Sequence, residues 1–71
     1  MFRLKKILKD NNIKYYLIYH KLLGIPLAMF NRKIVGTTDF TIKELTLIRD
    51  YLASQNVVPL DYDIGLLLDI V

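Results

Sequence analysis

Apolar residues along this chain recur at intervals of three and four, and short polar or glycine-containing stretches interrupt them. Between Phe2 and Lys9, Leu4, Ile7 and Leu8 fall on one stripe with the lysines off it, which predicts a first helix over residues 2–9. Asp10-Asn11-Asn12 is turn chemistry, because Asn and Asp tolerate left-handed backbone and offer local side-chain bonds. Lys14 to Leu23 predicts a second helix, with Leu17, Ile18 and Leu22 facing in and Gly24 ending it in a left-handed conformation. Pro26 suits the first turn of a third helix, where its missing N–H costs nothing. That helix runs to Ile34 or Val35 and stops at Gly36. Phe30 and Ile34, four apart, share its buried face, and Met29 is expected to pack inward beside them.

Thr41-Ile42-Lys43-Glu44 is the strongest helix start in the chain. It fits a capping box, in which the Thr41 hydroxyl accepts from the Glu44 amide while the Glu44 carboxylate accepts from the Thr41 amide. Phe40 and Leu45 stand where a hydrophobic staple would clamp the approach. Ile42, Leu45, Ile48 and Leu52 give this fourth helix a core stripe, and it runs to Ala53 or Ser54. Gln55 to Leu60 reads as a linker, since Pro59 forbids a continued helix. The tail DYDIGLLLDIV is apolar and acidic; a fifth helix with Asp61 near its start is expected, a strand being the alternative. The expected fold is all-α, a compact four- to five-helix bundle. Residues 1–54 form the helical domain, and 55–71 form a linker and an apolar tail for packing or dimerisation.

Length changes this picture. Seventy-one residues make one small domain, and a chain of this size buries only about 60% of its unfolded surface. There is no cysteine to form a disulfide, and His20 is the only histidine, so a structural zinc site is not expected. Stability must come from helix packing or from a partner subunit. An apolar fraction of 54% leaves more hydrophobic surface than one small monomer easily hides, and a homodimer is expected. No apolar stretch approaches the ~20 residues a bilayer requires, and the early basic residues are interleaved with apolar ones rather than preceding an apolar block. A soluble cytoplasmic protein is therefore expected, without a membrane partner.

Charge is unevenly spread. Residues 1–33 carry eight basic side chains against Asp10 alone, a net +7, whereas residues 34–71 carry two basic against six acidic, a net −4. A basic half beside an acidic half points to a polyanion partner for the first half. The alternative is that the lysines solvate helix faces.

Four short helices, the second and third joined by a tight turn containing Gly24, form a helix-turn-helix arrangement. The residues also resemble those of the Cro/repressor-type helix-turn-helix family of small phage and bacterial transcription regulators. Leu23-Gly24-Ile25 matches that family's L-G-I turn. Phe30-Asn31-Arg32-Lys33-Ile34-Val35-Gly36 matches its third-helix ending, commonly L-S-R-K-L-N-G. Phe40-Thr41-Ile42-Lys43-Glu44-Leu45, with Ile48 and Tyr51-Leu52, matches its fourth helix. The resemblance covers roughly residues 2–53 and implies a dimer on a near-palindromic duplex, with the helix from Pro26 to Val35 in the major groove.

The resemblance implies that Leu27, Ala28, Asn31 and Arg32 face the bases. Lys5, Lys6, Lys9, Lys21 and Lys33 would meet phosphates. The family usually has a polar cap where Pro26 stands and polar readers where Leu27 and Ala28 stand. Apolar side chains touch a thymine methyl but cannot make the bidentate bonds open to Asn31 (adenine) and Arg32 (guanine). His20 occupies a position where the family prefers a small residue, so a wider or rotated helix pair is expected. Tyr15, Tyr16 and Tyr19 suit a protein interface, because tyrosine joins an apolar ring to a polar tip, with packing at the core edge as the alternative. Leu66, Leu67, Leu68 and Ile70 would dimerise.

Nothing here pairs a nucleophile with a base, and the Asp61-Tyr62-Asp63 run lacks the later glutamate a calcium loop needs. No enzyme activity, cofactor, metal or small-molecule substrate is expected. Two functions remain: a DNA-binding transcriptional regulator of phage or prophage type, or an antirepressor that uses its apolar third helix and tyrosine-rich second helix to bind a repressor protein.

Overall fold

The first helix forms where the apolar spacing places it. In α1 (Arg3–Asp10), Leu4 and Leu8 lie one turn apart and are fully buried, with Ile7 half-buried beside them. Asn12 adopts left-handed backbone (φ 54°), and its amide donates to the Lys9 carbonyl while that of Ile13 donates to Leu8. This bond pair is the Schellman closure that satisfies carbonyls left open at a helix end. The computed structural model describes all 71 residues. It is all-helical, with three α-helices, one π-helical and one 3₁₀ segment; the only β-type contact is an isolated antiparallel bridge between Phe2 and Ile70.

The second segment, α2 (Leu17–Leu22), is wound as a π-helix. The Leu23 amide donates to the Ile18 carbonyl five residues back, and Ile25 donates to Tyr19 across Gly24 (φ 65°). Leu17 stands one residue before Ile18, about a quarter-turn away from the inward direction. Ile18 is fully buried and Leu22 half-buried, but Leu17, expected inside, is exposed.

Pro26 is the cap of α3 (Leu27–Ile34) rather than a member of its first turn, with extended backbone (φ −64°, ψ 152°). The helix ends in the same Schellman pattern as α1, with Gly36 (φ 91°) donating to Lys33 and Thr37 to Arg32. The inward arc is Phe30, Lys33 and Ile34. Met29, expected inside, lies about a quarter-turn off that arc and is exposed.

The expected capping box opens α4 (Ile42–Ser54), with Glu44 N–H···Oγ1 Thr41 at 3.0 Å and Thr41 N–H···Oε1 Glu44 at 2.9 Å. Phe40 and Leu45, the staple pair, are both buried in the core with Ile48 and Leu52. Ile42 instead is 75% exposed, because it stands on the first turn, off the centre of the Leu45–Ile48–Leu52 stripe. Asn56 (φ 58°) closes this helix, donating to Ala53 while Val57 donates to Leu52.

Residues 55–71 fold back onto the rest of the chain. The 3₁₀ turn α5 (Ile64–Leu68) packs against α1 and α4 and buries Leu67 completely. Its cap is Asp63 rather than Asp61, the Asp63 Oδ1 accepting from the Gly65 amide at 2.9 Å. Arg49 Nη1 donates to the Tyr62 carbonyl at 2.9 Å, and Arg3 N–H to the Asp69 carbonyl at 2.7 Å. The tail thus completes the core of the helical domain.

Gly36 is fixed twice, by its left-handed backbone and by the Phe2 ring, whose Cζ would lie 3.2 Å from an added Cβ. At Gly24 nothing lies within 4 Å of such a Cβ. Both Gly→Ala changes are expected to cost about 1–2 kcal/mol through backbone strain. Gly36→Ala should cost more, lowering Tm by roughly 8 °C or more, since 1 kcal/mol is worth about 4–8 °C in a domain this size. Thermal denaturation of the two variants checks the order; an equal loss would remove Phe2 from the explanation.

Candidate nucleic-acid interface

The third helix has two unlike faces. Inward, Phe30 is fully buried at the centre of an aromatic group, with ring centroids 5.2 Å from Tyr15, 5.9 Å from Tyr19 and 6.2 Å from Phe40. The Tyr15 and Phe40 contacts are edge-on, the arrangement that ring quadrupoles favour. Phe30 thereby ties α3 to both α2 and the start of α4.

Lys33 shares this inward arc and is only 6% exposed. Its ammonium donates to Glu44 Oε1 at 2.9 Å and to the Asp39 carbonyl at 3.0 Å, and stands 5.9 Å from the Phe40 ring centroid. The same Glu44 oxygen accepts the Thr41 amide of the capping box, so one carboxylate both caps α4 and holds α3. Burial alone would raise the Glu44 pKa. The Thr41 amide bond, with the bond and charge of Lys33, outweighs that and holds it below its ordinary value. Lys33, expected among the phosphate contacts, is therefore committed inside the fold. Its spacing carried the signal: Lys33 stands three after Phe30 and one before Ile34, on the buried arc.

Outward, Ala28, Asn31, Arg32 and Val35 are exposed along α3, and Leu27 is 45% exposed on its flank. The side chains of Asn31 and Arg32 make no hydrogen bond or ion pair within the chain, and no side chain caps the first turn of the helix. All four expected base-facing residues are thus brought to one accessible surface.

The expected phosphate contacts are less unified. Lys5 lies beside the end of α3, lining a depression with Ile34 and Val35. Lys6 lines a different depression, with Val57, Val58 and Tyr62, and pairs with Asp10 at 3.0 Å. Such an exposed pair is weak. Lys9 and Lys21 are exposed, the Lys21 ammonium 5.9 Å from the Tyr16 ring centroid.

The three tyrosines of the interface reading separate as well. Tyr15 and Tyr19 are half-buried against Phe30, and burial pushes the Tyr15 phenol pKa up. Tyr16 is exposed, stacked on exposed His20 with centroids 4.7 Å apart. His20 therefore lies on the surface rather than wedged between helices. Of the expected dimer residues in the tail, Leu67 is core and Leu68 half-buried; Leu66 and Ile70 remain exposed.

No protein-family model, curated protein or solved structure matches this chain.

Because a depressed folded pKa stabilises only while the group is ionised, the contribution of Glu44 is complete above the unfolded carboxylate value of about 4.3 and fades as pH falls through the lower folded value. Glu44→Gln should flatten the acid side of the stability–pH curve, measured by urea denaturation, while keeping the capping geometry. A double-mutant cycle with Lys33→Met should return a coupling of about 0.5–3 kcal/mol, the range for neighbours in one network. A coupling under about 0.5 kcal/mol would mean that the pair does not hold α3 to α4.

Proposed function

We propose that this chain is a small DNA-binding transcriptional regulator of phage type, with a helix-turn-helix fold whose recognition helix is α3. The observation that carries this reading is the outward stripe of α3, where Asn31 and Arg32 offer unpartnered polar groups beside Leu27 and Ala28. The opposite face is locked by Phe30, Lys33 and Ile34, so the stripe is held in one orientation. A rigid helix of this kind suits base reading, where Asn bonds to adenine, Arg to guanine and Leu touches a thymine methyl. Lys9, Lys21 and Lys5 supply charge for phosphates, and affinity falls with salt as counterions are released.

A second reading, an antirepressor that binds a repressor protein, is favoured by the exposed Leu27, Met29, Tyr16 and Leu17 on α3 and at the start of α2. Protein interfaces enrich in aromatic and Met side chains in this way.

Selection of bound duplexes from a random pool at near-physiological salt separates the two. An enriched sequence is expected. Arg32→Ala should then weaken the selected duplex by about 5- to 150-fold, the worth of one bidentate base contact, without lowering Tm. Lys21→Ala should weaken all duplexes alike and reduce the salt slope by about one. If no sequence is enriched, the regulator reading fails. A repressor complex abolished by Leu27→Glu would then establish the second.

A further inference from the structure

Of the ring pairs in this chain, only Tyr16 and His20 have both members exposed. Helical backbone at Tyr16 (φ −54°, ψ −40°) runs into the π winding of α2, and the phenol lies nearly parallel to the imidazole. Their planes differ by 19° and their centroids are 4.7 Å apart. Tyr19 meets the Tyr16 ring at 85° with centroids 5.9 Å apart, and is itself half-buried against Phe30. The exposed stack is thus braced from the core. Tyr16 is the only ring packed on His20, whose side chain makes no hydrogen bond within the chain.

Charge around the stack has one sign. Residues 11–38 include no Asp or Glu, yet they carry Lys14, Lys21, Arg32 and Lys33. The cations of the ion pairs are Arg3, Lys6, Lys33 and Arg49, so Lys14 and Lys21, both exposed, are free. The Lys21 ammonium stands 5.9 Å from the Tyr16 ring centroid.

Open ring faces beside free cations match a strand of phosphates whose bases have open faces of their own. Duplex DNA lacks that match, because its paired bases offer only their edges in the grooves. A protein surface matches less well, since protein interfaces are depleted in lysine.

We propose that the Tyr16–His20 stack is a binding site for single-stranded nucleic acid. An unpaired base lies against the ring pair, and Lys14 and Lys21 supply charge for the phosphates. Stacking of this kind tolerates any base, because every base has a π-face. The site is separate from the outward stripe of α3 and does not depend on duplex recognition there.

The test is fluorescence anisotropy of labelled oligothymidylate about 12 nucleotides long, within the roughly 4–16 that such sites span, titrated with the full chain. An abasic oligomer of equal length carries the same phosphates without the bases. It should bind more weakly by about 5- to 150-fold, the worth of stacking one base. Tyr16→Ala and His20→Ala should each weaken oligothymidylate by about fivefold or more and shrink its advantage over the abasic oligomer, without lowering Tm. Tyr16→Phe, which keeps the ring, should bind as the unaltered chain does. Equal affinity for the two oligomers overturns the proposal, as does an advantage that both alanine variants retain. Loss of binding in Tyr16→Phe also overturns it, since a hydroxyl rather than a ring face would then make the contact. No binding of oligothymidylate overturns it and leaves the face to a protein partner. Failure of the duplex-reading proposal shows elsewhere, as a random duplex pool without an enriched sequence, and leaves these ratios untouched.

Discussion

One carboxylate oxygen, Glu44 Oε1, receives both the Thr41 amide and the Lys33 ammonium. Without the first bond the amide at the start of α4 is unsatisfied; without the second a lysine lies almost fully buried with only a carbonyl for company. Removing one member of a largely desolvated pair leaves the other uncompensated and is typically worth about 3–5 kcal/mol, although the pair adds little over a well-packed apolar pair. The value of this arrangement lies in geometry. It sets the rotation of α3 about its own axis, because Lys33 reaches Glu44 only while that side of the helix faces α4.

Every property of the outer face follows from that rotation. Phe30 and Ile34 flank Lys33 on the inward arc, and the Tyr15, Tyr19 and Phe40 rings close around Phe30. With Phe30, Lys33 and Ile34 inward, Ala28, Asn31 and Arg32 face outward, as does Val35 just past the helix end. Their freedom from internal partners is a product of packing elsewhere. The same division explains why Arg32 and Lys33, adjacent in sequence, have opposite fates: 100° of helical rotation separates a solvated guanidinium from a buried ammonium.

The tail works in a comparable way. Leu67 fills the space between α1 and α4, while the Phe2–Ile70 bridge draws the two ends of the chain together at the last turn of α3. Closing the chain there leaves Ile70 and Val35 on one surface.

Much was legible in the chain alone, and it was of one kind. The capping box at Thr41–Glu44, the left-handed stops at Asn12, Gly24 and Gly36, and the inward Leu4, Leu8, Phe30, Ile34, Leu45, Ile48 and Leu52 all depend on bonds or spacings within a turn or two of helix. Local backbone chemistry settles these whatever surrounds them. The arrangement around them came from elsewhere: the π winding of α2, the exposure of Leu17, His20, Met29 and Ile42, the burial of Leu67, and the conversion of Lys33 from a surface cation into an internal one. Each of these depends on which distant surface arrives opposite a residue. Periodicity states that a side chain lies on a given face, but only the packed partners determine whether that face meets Glu44, another helix or water.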